Sequence, residues 1–386
     1  MLAEVKEFFC PTRVVTGFGV YAQLGQRAAE LGMKKPMVVS DQGIAQAGIL
    51  ERGLQALEEA GIEYVLFDEV NPDPDNELID RMAKIAAEEG VDSFIGIGGG
   101  SPMDASKLVN IVHTHGGSIV EYARDKMVPG PLMPLIAVAT TAGTGSEVTR
   151  NAVVTDLERK FKRGIGSDYN YPTLSLVDYE LIANQPPRIA ASTGMDALTH
   201  AIEGYTCRKA QPISDALCLR AISLIGANIR AISAGQGDLQ AGKGMALGST
   251  IAGMAFSNSS VGLVHAMSQA AGSLCGVPHG IGNAILLPHV MEFNLIGNLE
   301  RFADVARALG ENVEGLTLRE AAQAAVEAVW SLNADIGIPD GLGQAGVKEE
   351  NIDELIELSL MNVNGIRLNP RRVTREDIRA IYQAAL

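Results

Sequence analysis

The stretch "SFIGIGGGSPMDASKLV" (93–109) sets the architecture of the N-terminal half. Apart from Ser93, its first five residues are apolar and read as a short buried strand. Gly98, Gly99, Gly100 and Ser101 follow, and Pro102 stands where a helix opens its first turn. Contiguous glycines leave backbone N–H groups open to a phosphate, and a helix N-terminus adds favourable partial charge. Outward from this loop, "PMVVSD" (36–41), "EYVLF" (63–67), "LIAVA" (135–139) and "TLSLV" (173–177) also read as buried strands. "AGILERGLQALEEAG" (47–61) and "NELIDRMAKIAAEEG" (76–90) show helical periodicity and end in Gly, the usual C-terminal stop. This alternation predicts a parallel sheet with helices on both faces.

Beyond about residue 185 the texture changes. Segments 193–208, 211–233, 243–257, 260–275, 317–336 and 374–385 are rich in Ala, Leu and Met and predict helices. "NQPPR" (184–188) reads as the boundary. The expectation is an α/β, Rossmann-like nucleotide-binding domain over 1–183 and an all-helical domain over 184–386. A chain of 386 residues suits two such cores.

Composition narrows the function. A net charge of −15 argues against nucleic acid and anionic membranes as partners. No uncharged apolar run of about 18 residues is present, so no membrane span is expected. The N-terminus "MLAEVKEFFCPTR" lacks a basic region followed by an apolar core, which predicts a cytoplasmic protein without a secretory signal. Cys10, Cys207, Cys218 and Cys275 lack C-x-x-C spacing, which fits a reducing compartment; at least three read as small buried hydrophobes.

A second glycine loop competes for the nucleotide. "TGFGVYAQLG" (16–25) holds Gly17, Gly19 and Ala22 in a G-x-G-x-x-A pattern, with Asp41 suitably far downstream. The 98–101 loop is favoured because its strand is cleaner and its glycines are contiguous. Asp41 closes its strand where a carboxylate can accept from a ribose diol and repel a 2′-phosphate, which favours NAD over NADP. "ATTAGTGSEVT" (139–149) follows another buried strand and is dense in hydroxyls, as a ligand-facing loop would be.

The helical half contains "STGMDALTHAIEGY" (192–205), where Asp196 and His200 share one helix face at i, i+4 spacing. Alone, the pair reads first as a hydrogen-bonded pair and only second as half of a metal site, since such spacings arise often by chance. His265 and His279 stand in similar small-residue surroundings, and His289 is a weaker companion. Three imidazoles and a carboxylate form an N₃O set for a divalent transition metal. His113 and His115, beside a Gly-Gly turn, read as solvated.

Taken together, "GGGSPMDASK", "TTAGTGSEVT", "STGMDALTHAIEGY", "GLVHAMSQ", "PHGIGNAILLPH" and "NPR" (369–371) resemble the iron-containing, metal-dependent alcohol dehydrogenases. The resemblance runs in order over nearly the whole chain. It implies a dehydroquinate-synthase-like fold with the site in the cleft between two domains. By position it implies Asp196, His200, His265 and His279 as metal ligands, for Fe²⁺ or alternatively Zn²⁺. It makes Gly98, Gly99, Gly100 and Ser101, with Asp104, the pyrophosphate end of an NAD site, and Asp41 the ribose-reading acid. Asn71, Thr140, Thr141, Thr144, Asn151 and Lys162 look like further cofactor contacts, and the Gly17 loop is then structural. Phe256, Asn151 and Asn364 are implied around the substrate pocket. One departure stands out: Gln269 occupies the place where most relatives carry a histidine one turn after His265. An amide hydrogen-bonds but cannot titrate.

The implied activity is NAD-linked interconversion of a small primary alcohol and its aldehyde, by an enzyme that relatives assemble into dimers or larger homo-oligomers. Propanediols, lactaldehyde, hydroxybutyrate and ethanolamine-derived aldehydes all fit. A dehydroquinate-synthase-like lyase and a non-catalytic helical protein stapled by metal are the alternatives; few basic residues lie near the ligands for the first, and the glycine loops go unexplained by the second.

Overall fold

The structure, a computed structural model, describes residues 5–124, 126–159 and 161–386, with Phe161 described by its backbone alone. Residues 1–4 of the N-terminal stretch read above lie outside the described residues. Contacts divide the chain into an α/β unit, Cys10–Thr141 with Gly145–Ile182, and a helical unit, Ala183–Leu386. The described N-terminal residues through Phe9 and the loop tip Ala142–Thr144 belong to the helical unit.

The strands of the α/β unit are β1 (Arg13–Gly17), β2 (Pro36–Val39), β3 (Val65–Phe67), β4 (Ser93–Gly98), β5 (Leu135–Ala139), β6 (Asn151–Asp156), β7 (Phe161–Gly166) and β8 (Leu174–Asp178). Six form one sheet in the order β1-β8-β5-β4-β2-β3, parallel throughout. Every residue of β2, β4, β5 and β8 is buried, which is why these strands read as continuous apolar runs rather than alternating ones. Phe94 points into one core layer with Met82, Leu108 and Val109; Ile95 and Ile97 point into the other with Tyr21, Leu57 and Leu176. Where the helix Gly100–His115 crosses β4, a Cβ at Gly96 would lie 2.6 Å from Ser106 Oγ, so the approach needs glycine.

Strand order reverses between β2 and β4. Asp41 follows β2, and the glycine loop follows β4. Open α/β sheets bind their ligands at such a switch point. The rival loop is closed by its own sheet: the N–H groups of Gly19 and Tyr21 donate to the Asp178 carboxylate at 3.1 and 2.9 Å. Those two donors are spent on the sheet, as in a structural turn.

The sequence reading missed the antiparallel β6–β7 hairpin, whose second strand, "FKRGIG", carries adjacent cations and two glycines. It also singled out neither Leu299–Leu309 nor Ile352–Met361 as helices. Pro212–Ser233, Leu239–Asn258, Leu263–Cys275 and Leu318–Asp335 form close to their expected bounds, while Pro187–Thr206 starts well before the expected 193. Pro212–Ser233 has the length and mean hydropathy, 1.4, of a membrane span. It nonetheless carries Asp215, Arg220 and Arg230, and it packs Ile222, Ile225 and Ile229 fully out of solvent.

Candidate active site

Two helices build the centre of the helical unit by coming very close. Gly280, at the start of the helix His279–Asn294, sits where a Cβ would lie 2.2 Å from the Ser192 carbonyl oxygen of the helix Pro187–Thr206. That contact brings His279 beside Asp196, while His265 arrives from the first turn of Leu263–Cys275. The Oδ1 atom of Asp196 lies 3.7 Å from His265 Nε2 and 3.6 Å from His279 Nε2. These three residues offer ligand atoms that all fall within 4.8 Å of one another.

His200 completes the cluster from the side. Its Nδ1 is 3.9 Å from Asp196 Oδ2; its ring stacks on Phe256 with centroids 4.2 Å apart and lies tilted against that of His265 at 4.5 Å. The ring hydrogen-bonds to the backbone of Gly143, and Nδ1 is buried without a partner. Gly143 is required there, since a Cβ would come within 2.7 Å of Thr193 Cβ. Phe256, expected as a pocket wall, acts here as a platform for His200.

Two functional residues went unnoticed in the sequence. Glu203 accepts from His265 Nδ1 at 2.6 Å and from the backbone N–H groups of Gly262 and Val264 at 2.9 and 2.7 Å. Its hold on Nδ1 turns Nε2 toward Asp196, as a carboxylate behind a ligating histidine does. Asn283 donates from Nδ2 to Asp196 Oδ1 at 2.7 Å. The signal was spacing: Glu203 lies seven residues after Asp196, and Asn283 four after His279, each on its ligand's own helix face.

The electrostatics suit a cation. Burial alone would raise the Asp196 carboxyl, but the imidazoles of His200, His279 and His265 hold it well below the usual carboxylate range. Burial pushes His200 down to about 3. Burial also opposes charge on His265, yet the carboxylates of Asp196 and Glu203 carry it up to about 9. An N₃O set with Asp196, His200 and His265 buried, His279 partly exposed, an ionised oxygen and an orphaned ring nitrogen fits a divalent transition metal.

The α/β unit gathers most of the expected nucleotide residues. The N–H of Thr140 donates to the Gly98 carbonyl at 3.0 Å, and Thr140 Oγ1 is buried without a partner. Thr141 faces Gly99, where a Cβ would meet its Oγ1 at 3.3 Å. Asp73, in the left-handed region at φ 59, ties two more residues together. Its N–H donates to Ser101 Oγ at 3.4 Å and its carboxylate pairs with Lys162 at 2.7 Å. The orphaned hydroxyl, the open glycine loop and the helix N-terminus fit a dinucleotide phosphate. Asp41 caps the short helix Gln42–Gln46, with Oδ1 accepting from Ile44 N at 3.0 Å. Asn71 and Asn151 are exposed, and Thr144 lies with the helical unit. Asp104 turns away from the loop: its carboxylate accepts from Ser146 Oγ and Val153 N at 2.6 and 2.9 Å.

Several expectations need correction. Asn364 is exposed and accepts only from Arg367 on its own short helix at 3.3 Å; the residue that reaches the cluster's neighbour is Asn362, whose Nδ2 donates to Gln269 Oε1 at 2.9 Å. His113 and His115 are half-buried rather than solvated, bonded to the carbonyls of Val91 and Gly130. His289 packs edge-on against Trp330 at 4.9 Å, apart from the cluster. Two cysteines, Cys207 and Cys218, are fully buried, one fewer than expected.

Comparison with known proteins follows the same division of the chain. Residues 11–179 match the family model "Iron-containing alcohol dehydrogenase", and 190–386 match "Fe-containing alcohol dehydrogenase family, C-terminal". The 1,3-propanediol dehydrogenase of Klebsiella pneumoniae is 42% identical over 98% of both chains. The NAD-dependent methanol dehydrogenase of Bacillus methanolicus is 38% identical, over 98% of this chain and 99% of the other. A solved 1,3-propanediol oxidoreductase superposes with a TM-score of 0.96 at 41% identity, covering 99% of this chain and 100% of its own. With a switch-point glycine loop in one unit, a buried Asp–His cluster in the other and both family models in place, the chain belongs to the iron-containing alcohol dehydrogenases.

Proposed function

We propose that this protein is an NAD-dependent dehydrogenase for small primary alcohols, diols included, working through a divalent metal held by Asp196, His200, His265 and His279. The observation that carries the reading is the convergence of buried Asp196 and His265 with the partly exposed His279. When bound, the metal supplies Lewis acidity toward the alcohol or aldehyde oxygen, and the nicotinamide supplies the hydride acceptor or donor. The chain does the rest. Glu203 holds the ring of His265 in place, so that no rearrangement of that ligand is needed as charge develops. Gly98 to Ser101 and Thr140 anchor the pyrophosphate, and Asp41 reads the ribose diol. Gln269, tied to Asn362 by its oxygen, keeps its NH₂ as a donor that orders water at the site but carries no proton itself.

Names of relatives support the substrate class: one is a propanediol dehydrogenase and another a methanol dehydrogenase. Scattered free cysteines favour a reducing compartment, and we place the protein in the cytoplasm. Assembly into dimers or larger homo-oligomers stays an expectation of the family resemblance, open to sedimentation. The test is a panel of short alcohols with NAD and of matching aldehydes with NADH. NADH should form with 1,3-propanediol and other short primary alcohols, and a His265→Ala variant should form none. Absence of turnover across the panel in metal-loaded protein would reject the reading.

A further inference from the structure

The cluster contains one buried group that the ligand set does not use. Asn283 is completely buried on the helix His279–Asn294, four residues after His279. Its Nδ2 lies 2.7 Å from Asp196 Oδ1, 3.2 Å from His279 Nε2 and 3.4 Å from His265 Nε2. Its Oδ1 is buried with no hydrogen-bond partner. Leaving an amide oxygen bare in a dry core is costly, of the order of 1–3 kcal/mol in general, so this orientation is maintained by what the nitrogen does.

We propose that Asn283 is a positioning residue for the metal: its amide N–H fixes the rotamer of Asp196 so that Oδ1 faces His265 and His279. The inference rests on the reading of these residues as the metal site. A carboxylate rotates about its last torsion with little resistance, because that torsion is broad. Glu203 locks the ring of His265, and stacking on Phe256 locks that of His200. Among the described residues, the hydrogen bond from Asn283 is the restraint of that kind on Asp196 from outside the four ligands. Ligating carboxylates elsewhere are hydrogen-bonded in the same way, and loss of such partners costs about 10–100-fold in metal affinity.

Co²⁺ is the probe, titrated into chelator-stripped wild type, Asn283→Leu and Asn283→Asp, with the visible spectrum, the dissociation constant and the urea midpoint all recorded. Leucine keeps the volume without the donor; aspartate keeps the shape and replaces the N–H by oxygen. Wild type should bind one Co²⁺ per chain. Asn283→Leu should bind about 10–100-fold more weakly and with an altered visible band. Asn283→Asp should also change the band, because Asp196 Oδ1 then faces a second carboxyl oxygen in place of its donor. If wild type binds no Co²⁺, the metal reading itself fails. If wild type binds and both variants match it in affinity and spectrum, the metal site stands and Asn283 merely packs. Should Asn283→Leu fail to fold, the spectrum of Asn283→Asp decides alone, an unchanged band overturning the proposal.

Discussion

Two buried charged clusters lie in this chain, and they are built in opposite ways. In the α/β unit, Lys107 is wholly out of solvent, and its ammonium donates to the carbonyls of Ser146, Thr149 and Asn151 at 2.6, 3.0 and 3.1 Å and to the Ser146 hydroxyl at 2.8 Å. Burial pushes Lys107 down to about 8 against the pull of Asp104 and Glu147. Asp104 in turn is filled by Ser146 and Val153. Every direction is answered, so the cluster is closed. In the helical unit, Asp196 and the histidines converge with His200 Nδ1 and Asn283 Oδ1 left bare. A closed cluster is scaffolding, because nothing further can enter it without breaking a bond. An open one is a site, because its unmet valences ask for a ligand.

Breaking the closed cluster should cost stability and leave metal binding alone. Lys107→Met leaves Asp104 buried and uncompensated, a loss of about 3–5 kcal/mol in urea unfolding, with cobalt stoichiometry unchanged. A stable variant with altered metal content would mean that the two clusters are not separate in role.

The nucleotide end gives a smaller effect. Asp41→Gly should lower the preference for NAD over NADP by about tenfold through lost ribose hydrogen bonds and relieved repulsion. Glycine is chosen because it also serves as a helix N-cap, so the Gln42–Gln46 cap should weaken by only a few tenths of a kcal/mol. Equal use of both cofactors by the wild type would remove Asp41 from the ribose.

Gln269 should matter less again. Gln269→Ala should lower turnover by no more than about tenfold, since no ionising group is lost. Gln269→His should add an ionisation near pH 6–7 to alcohol oxidation, where histidine titrates. A flat profile in that variant would place the side chain away from the proton's route.

The smallest effect concerns the β6–β7 hairpin. Hydrogen bonds from Arg124 at 3.0 and 3.2 Å hold the Asp156 carboxyl below its usual 3.8 despite its burial. Its folded value is depressed, so its contribution to stability is present above pH 3.8 and fades as pH falls through that lower value. Amide exchange in Asn151–Asp156 should therefore quicken in that acid window, an effect that Asp156→Asn removes. Equal acid sensitivity in the variant would assign the loosening to another group.

Much of this was legible in the sequence, for physical reasons. Strands β2, β4, β5 and β8 are buried on both faces, so their apolar runs announce themselves. Gly90 at φ 67 ends its helix as its place after "AAEE" implied. The hairpin escaped because Lys162 and Arg163 interrupt its pattern. The partners of Asp104 escaped because it stands one turn inside the glycine-loop helix yet meets Ser146 and Val153, which only the fold brings near. Asn364 stands in a six-residue helix that Asn362 caps two residues earlier, and a one-dimensional motif cannot say which meets Gln269. Glu203 and Asn283 were visible as spacings, but an acid or amide near a ligand becomes a partner only once its distance is known.

The central claim is that the open cluster works through a bound metal. Chelator-stripped protein, shown metal-free by elemental analysis, can be assayed for NADH formation with 1,3-propanediol before and after adding Fe²⁺. Turnover should be absent before and restored after, in proportion to the iron bound; full turnover in the metal-free protein would contradict the account.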